Sequence, residues 1–353
     1  MAFDISAPHA RRHRLRNQLL AGSDLAPADV MERAVALQGQ DLSAVVRAIA
    51  LRSRPDTTVA DVVRAFDEGR LVRSWPMRGT LFATTPGHLA TLLYFTAERI
   101  HRMTAGRREQ LGLDTHLIAH ARDVLHEALT ERPRTRAEAL ALWEAAGIDT
   151  TAGRGYHLFM HLAVDGFVHW GRFTATRDEQ MLELSTTPPP DDPESALTGI
   201  VRSYIEARGP ATLADLAWWT KLPKTMLRRA AASIDDLVEV TVNGTPAWVI
   251  GAPPGGDGGE APDHVCLVPG FDEWILGYTD RSLVASPAAL KALVPGGNGV
   301  FRPAILVDGI VVGTWKASRR SGSRDTTVTH LVESLSTDTK KAVDDAIAAW
   351  PYR

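Results

Sequence analysis

The sequence predicts a mainly α protein with β-hairpins, an α+β chain of three tandem winged-helix units followed by a β-rich C-terminal module. Three observations lead there. An order of helix, short helix, helix and alternating hairpin occurs twice in succession, over 117–184 and 197–250. The pair Asn243-Gly244 separates two alternating segments, and a type I′ hairpin turn needs positive φ at both central residues. At 353 residues the chain is also too long for one typical core.

In chain order, the first unit (1–115) reads as helices at 12–20, 27–38, 43–51 and 59–68, then strands near 71–74 and 79–83. The second (116–190) has helical apolar spacing over 117–129, a helix capped by Thr135 and running to about 146, a helix at 156–165, and strands at 167–173 and 181–184. In the third (191–252), a helix at 197–207 is followed by the break and cap Gly209-Pro210-Ala211-Thr212. Helices at 213–220 and 224–232 and strands at 237–242 and 247–250 complete it. Residues 251–262 are rich in glycine and proline and read as a linker. The module (263–353) offers strands at 265–268, 304–307, 310–312 and 326–331, with a tight turn at Asp308-Gly309. A last helix at 337–349 ends just before Pro351.

Composition removes several classes of function. With 44% hydrophobic and 23% charged residues the chain has the makings of a globular fold, not of a disordered or fibrous one. No apolar run reaches the roughly 18 residues of a membrane span. No signal-like apolar core follows the basic stretch at 11–16, so the expected place is the cytoplasm. The single cysteine, Cys266, cannot form an intramolecular disulfide and reads as a small core residue. Histidine pairs His116/His120 and His157/His161 have i, i+4 spacing but lack both the glutamate of a zincin helix and a third ligand, so no metal is expected. Nor is any cofactor, since neither a glycine-rich phosphate loop nor a nucleophile elbow is present.

A net charge of -3 does not announce a nucleic-acid binder, but phosphate contacts depend on local charge. Arginine gathers at 11–16, 99–108 and 132–136, and a further group, Lys316, Arg319, Arg320 and Arg324, follows the Asp308-Gly309 turn. That last group is placed to grip a DNA backbone.

Three stretches, Leu37-Gln38-Gly39-Gln40-Asp41, Arg73-Ser74-Trp75-Pro76-Met77-Arg78-Gly79-Thr80 and residues 269–281, resemble the AlkZ/YcaQ-like winged-helix DNA glycosylase family. The hairpin at 307–315 is similar to that family as well, so the likeness spans nearly the whole chain. The resemblance implies three winged helices and a β-rich piece curved around a duplex. It implies excision of N7-alkylated purines from double-stranded DNA and, in some members, unhooking of interstrand crosslinks. The family's catalytic motif, glutamine, an aliphatic residue, then glutamine or aspartate, falls on Gln38, Gly39 and Gln40, with glycine in place of the aliphatic residue. Without the resemblance these would read as polar residues ending the 27–38 helix, with Asp41 or Ser43 capping the next.

Uncharged amides suit this chemistry. An N7-alkylated purine already carries positive charge and leaves as a neutral base, so no strong acid is required. What remains is to stabilise a cationic sugar and to hold a water, which a glutamine carbonyl can do while its NH2 faces a phosphate or sugar oxygen. Residues two apart on a helix diverge by about 200°, so the two glutamines need a helix terminus, which Gly39 would suit. Around them, Arg73, Arg78 and Arg281 are expected on phosphates, and Trp75, Asp272 and Tyr278 along the site. Asp272 could equally pair with Arg281 or cap a turn. The expected agent is a monomer acting on alkylated DNA; the alternative is a non-catalytic winged-helix regulator reading the major groove. Lesion choice would depend on loops such as 104–114.

Overall fold

The computed structural model describes residues 3–252, 264–320 and 323–350, with side chains throughout these except at 317–329. The chain opens with β1 (Phe3–Ile5) and α1 (Ala7–Asn17). The first winged-helix order then runs α2 (Pro27–Ala34), β2 (Ala36–Gln38), α3 (Leu42–Arg52), α4 (Val59–Asp67), β3 (Val72–Met77) and β4 (Thr80–Thr84). The long helix α5 (Pro86–Gln110) leads to the second: α6 (Thr115–Glu131), α7 (Arg136–Ala145), α8 (Arg154–Val164), β5 (Val168–Phe173) and β6 (Gln180–Leu184). The third repeats it with α9 (Pro193–Arg208), α10 (Leu213–Thr220), α11 (Lys224–Ala231), β7 (Leu237–Val242) and β8 (Thr245–Ile250). Next come β9 (Val265–Val268), α12 (Glu273–Leu276), α13 (Pro287–Leu293), β10 (Ala304–Val307), β11 (Ile310–Arg320), β12 (Ser323–Leu331) and α14 (Thr337–Ala349).

Local chemistry explains the regular parts. Thr135 and Thr212 each close a capping box with an acidic residue three positions on, Glu138 and Asp215, which fixes the start of α7 and of α10. Asn243 and Gly244 both take positive φ, 49° and 74°, and β7 pairs with β8 in antiparallel register around them. Asp308 and Gly309 turn β10 into β11 in the same way, at 48° and 76°. Cys266 is buried, and burial pushes its thiol up to about 12.

Two expectations change, and a third is only partly described. The helix foreseen at 27–38 stops at Ala34, because Val35 adopts φ 65° and the chain leaves as a strand. A β-branched residue there is strained by about 1–3 kcal/mol, and the bend is held by Thr84 Oγ1 donating to the Val35 carbonyl at 2.6 Å. The loop foreseen at 104–114 is mostly the end of α5. The linker at 251–262 lies, past its first two residues, outside the described residues, as does Pro351.

Sheets join the units in a way that periodicity does not reveal. Strands β2, β4, β3, β5 and β6 form one five-stranded sheet across the first two units, joined where Arg73 pairs with Trp170. Strand β1 adds in parallel to β7, so the first residues of the chain extend the third unit's sheet. The four-stranded sheet β12-β11-β10-β9 forms the C-terminal module.

Candidate active site

Strand β2 lies between two cores. Pairing with β4, Gln38 opposite Phe82 and Leu37 opposite Ala83, holds it extended, and Gly39 N–H donates to the Leu81 carbonyl at 2.7 Å to prolong the ladder. Extended backbone sends alternate side chains to opposite faces. Leu37 joins the first unit's core with Val45 and Phe66, whereas Ala36 joins the third unit's core with Tyr204 and Trp219. Gln38 follows Ala36 and so meets the third unit and α12. The helical obstacle to using Gln38 and Gln40 together therefore disappears: Gln38 ends the strand and Gln40 follows in a bend, so neither lies on a helix.

Gly39 is not at a helix terminus, and its role is steric. A Cβ there would stand 2.9 Å from Ala83 N, 3.0 Å from the Phe82 carbonyl carbon and 3.2 Å from Arg73 Cδ. The space an aliphatic side chain would need is filled by β4 and by the Arg73 stem. Burial pushes the Arg73 guanidinium down to about 10, with Asp41 opposing. Asp41, not Ser43, caps α3, accepting from Ala44 N–H at 2.9 Å.

Gln38 is 7% exposed and its Oε1 accepts from Arg78 Nη2 at 2.6 Å, while Gln40 is exposed and its Oε1 accepts from Leu81 N–H at 3.4 Å. Both amides thus engage the β3–β4 hairpin. Arg78, expected on a phosphate, is turned inward from the hairpin's own turn, where it and Gly79 have φ 57° and 72°. It also donates to the Leu276 carbonyl at 3.2 Å, and its guanidinium lies 4.6 Å from the Trp218 ring centre. Burial lowers its pKa, with Glu273 opposing.

Behind the strand is a buried polar network. Arg208, at the end of α9, donates to the Ala34 and Ala36 carbonyls at 2.9 and 2.8 Å and to Glu273 Oε2 at 3.1 Å. Glu273 Oε2 also accepts from Trp219 Nε1 at 2.8 Å, while Oε1 has no hydrogen-bond partner and lies 4.0 Å from Arg78. Asp272 is bound at both oxygens by Arg52, at 2.7 and 2.9 Å, and caps α12 by accepting from Trp274 N–H. It pairs with Arg52 instead of Arg281. Tyr278 is fully buried, donates to the Arg208 carbonyl at 2.8 Å and accepts from Gln18 at 3.0 Å.

Asp272 and Tyr278 therefore support the site from behind and do not line it. Trp75 is buried too, in the second unit's core, edge-on to Tyr156 at 5.9 Å. Arg281 donates to the Ile275 carbonyl at 2.9 Å and stands 5.6 Å from the Trp218 ring. Lys316 is exposed on β11; the side chains of Arg319, Arg320 and Arg324 lie outside the described residues.

Sequence reasoning missed Trp218, Glu273 and Arg208. Trp218 is half-buried, with Arg78, Lys221 and Arg281 about its ring at 4.6, 5.4 and 5.6 Å. A signal was available, since adjacent residues on a helix point about 100° apart, so two neighbouring tryptophans cannot be equally central to one core: Trp219 is buried and Trp218 packs at that core's edge. Lys221 has its pKa lowered by burial and by the charges of Arg78 and Arg99, a mark of local positive potential. The surroundings of the glutamines are basic.

A family model described as DNA glycosylase AlkZ-like matches residues 31–351. The interstrand DNA cross-link repair glycosylase of Streptomyces sahachiroi is 25% identical over 307 residues, covering 82% of this chain and 81% of that protein. The solved structure of Streptomyces sahachiroi DNA glycosylase AlkZ shares the fold at a TM-score of 0.78 and 21% identity, over 98% of this chain and 96% of its own. The family match takes in the glutamine strand, the Arg78 hairpin and the buried network together, and this chain belongs to the AlkZ-like DNA glycosylase family.

Proposed function

We propose that this DNA glycosylase hydrolyses the N-glycosidic bond of N7-alkylated purines in duplex DNA, interstrand crosslinks included, and leaves an abasic site without cutting the strand. The observation that carries this reading is the placement of two uncharged amides, one fixed and one exposed, at the end of a strand and against a hairpin whose Arg78 shares the Trp218 ring with Lys221 and Arg281. With the base already cationic, no proton need be delivered to it. Gln38, oriented by Arg78, offers the second lone pair of its carbonyl to the developing positive charge on the sugar. Gln40 is free to hold the attacking water. Glu273 tempers the positive charge that Arg78 brings near a cationic sugar. Lys221 and Arg281 hold phosphates at the rim, joined by Lys316, Arg319, Arg320 and Arg324 where the duplex extends, while Arg73, packed beside Gly39, supports the glutamine strand.

We propose further that the protein acts as a monomer in the cytoplasm; no helix among the described residues is long and apolar enough to cross a membrane. The test is mass spectrometry of bases released from a panel of alkylated and crosslinked duplexes. Parent protein is expected to release N7-alkylpurines, and the double variant Gln38→Ala, Gln40→Ala to be slower by about a hundredfold or more. Unchanged release by the double variant overturns the site assignment. Selective binding to undamaged DNA with no base released from any substrate replaces the reading with the non-catalytic regulator.

A further inference from the structure

Spacing pairs His161 with His157, one turn away on the same helix, and brings no third ligand within reach. The fold supplies a different set. His101, on α5, meets His161 on α8, and Asp165 at the C-cap of α8 joins them, so that one ligand atom from each lies within 4.8 Å of the others. His101 Nε2 is 2.7 Å from one Asp165 oxygen and His161 Nε2 is 3.7 Å from the other; the two rings are 4.4 Å apart, centre to centre.

We propose that His101, His161 and Asp165 form a binding site for one divalent transition-metal ion, zinc by preference, that clamps the second unit's third helix to α5. Two imidazoles and a carboxylate are the borderline donors that zinc prefers, and three protein ligands leave a fourth position for water. The site is accessible from solvent, with the three side chains 22%, 16% and 29% exposed.

Two observations favour a shared cation over a simple histidine–carboxylate pair. First, the Asp165 carboxylate faces both rings, with one oxygen 2.7 Å from His101 Nε2 and the other 3.7 Å from His161 Nε2, so donors from two helices converge. A cation seated between them requires that convergence. Second, the hydrogen bonds and ring contact of the neighbouring guanidiniums leave the Asp165 oxygens to the two imidazoles among the described residues, although the charges of Arg108 and Arg122 act on the cluster. Arg108 donates to Thr104 Oγ1 and to the His101 carbonyl, and Arg122 lies over the Phe167 ring at 4.5 Å. In a tetrahedral set of 2.0–2.1 Å bonds the ligand atoms stand roughly 3.3 Å apart, so small side-chain rotations from the present separations suffice. The glutamine site holds none of these residues, and the clamp is structural.

The test uses the full, tag-free chain stripped with a chelator and titrated with zinc chloride against a chromophoric chelator. One zinc per chain is expected, together with a rise in melting temperature and, with cobalt(II) in its place, visible d–d absorption. His161→Ala and Asp165→Asn are each expected to weaken binding more than about tenfold, while His116→Ala, on α6, leaves it unchanged. Circular dichroism identifies any variant that fails to fold, and His101→Asn then stands in for it. Absence of a stoichiometric zinc, or full affinity retained in the variants of the cluster, overturns the proposal. Base release plays no part in this readout, so it fails or holds independently of the glycosylase assignment.

Discussion

The first winged-helix unit differs from the second and third at one place, just before its second helix. In the second and third units the first strand is reduced to single bridges, Arg134 with Leu182 and Ala211 with Trp248. In the first unit it is a full strand, β2, and the candidate catalytic glutamines lie at its end. The same topology serves scaffold duty twice and presents a site once. The difference is lengthened backbone pairing plus a guanidinium, Arg208, that holds the strand from behind. A single bridge leaves the next residues to the helix cap; a ladder prolonged by Gly39 N–H carries both glutamines to the β3–β4 hairpin.

If Arg208 is what makes the strand rigid, removing it should do the greatest damage. Arg208→Met is expected to destabilise the protein by about 3–5 kcal/mol, because buried Glu273 loses its nearest cation, keeping only the Trp219 N–H and the more distant Arg78, and the Ala34 and Ala36 carbonyls lose their donor. Urea unfolding measures this, and a loss near zero would show that β2 stands without its support. Next in size is Gly39→Ala, whose new Cβ meets the β4 backbone at 2.9 Å. A loss of about 1–3 kcal/mol is expected from overpacking, with base release slowed as the glutamines shift. Gly199→Ala, in α9 where a Cβ meets nothing within 4 Å, should instead gain up to about 1 kcal/mol. Equal effects at the two glycines would refute the steric role given to Gly39.

The smallest effect concerns the second unit's cap. Arg132 and the Thr135 N–H hold the Glu138 carboxyl down to about 2, below its ordinary 4.5. A lowered folded-state pKa means that the stabilisation is present above pH 4.5 and disappears as the pH falls toward about 2. Since the pair is exposed, the contribution is screened and small. The melting temperature of Glu138→Gln should lie slightly below that of the parent near neutrality and meet it in acid. A gap that persists or widens at low pH would assign the effect to something other than the ionised cap.

Legibility followed the range of the interactions. Helices α10 and α14 and strands β9 and β10 match their expected bounds, because apolar period, capping residues and turn pairs are local. The glutamines were found through the family likeness, yet their backbone was read as helix. Helical spacing over 27–34 runs on into Val35-Ala36-Leu37 without a breaker, and only pairing with Phe82 and Ala83 makes those residues a strand. Asp272 and Tyr278, expected along the site, are buried behind it: their partners Arg52, Gln18 and Arg208 are 34 to 260 positions away from one another or from them.

The sequence by itself determined the order of helices and hairpins, the paired uncharged amides and the absence of a second thiol, since these depend on residue type and short spacing. The tertiary structure alone decided that Gln38 and Gln40 both engage the β3–β4 hairpin, that Arg78 serves the first glutamine, and that His101 joins His161 and Asp165. Each of those is a meeting of segments remote in the chain, set by which cores the sheets close over, and no local period encodes it.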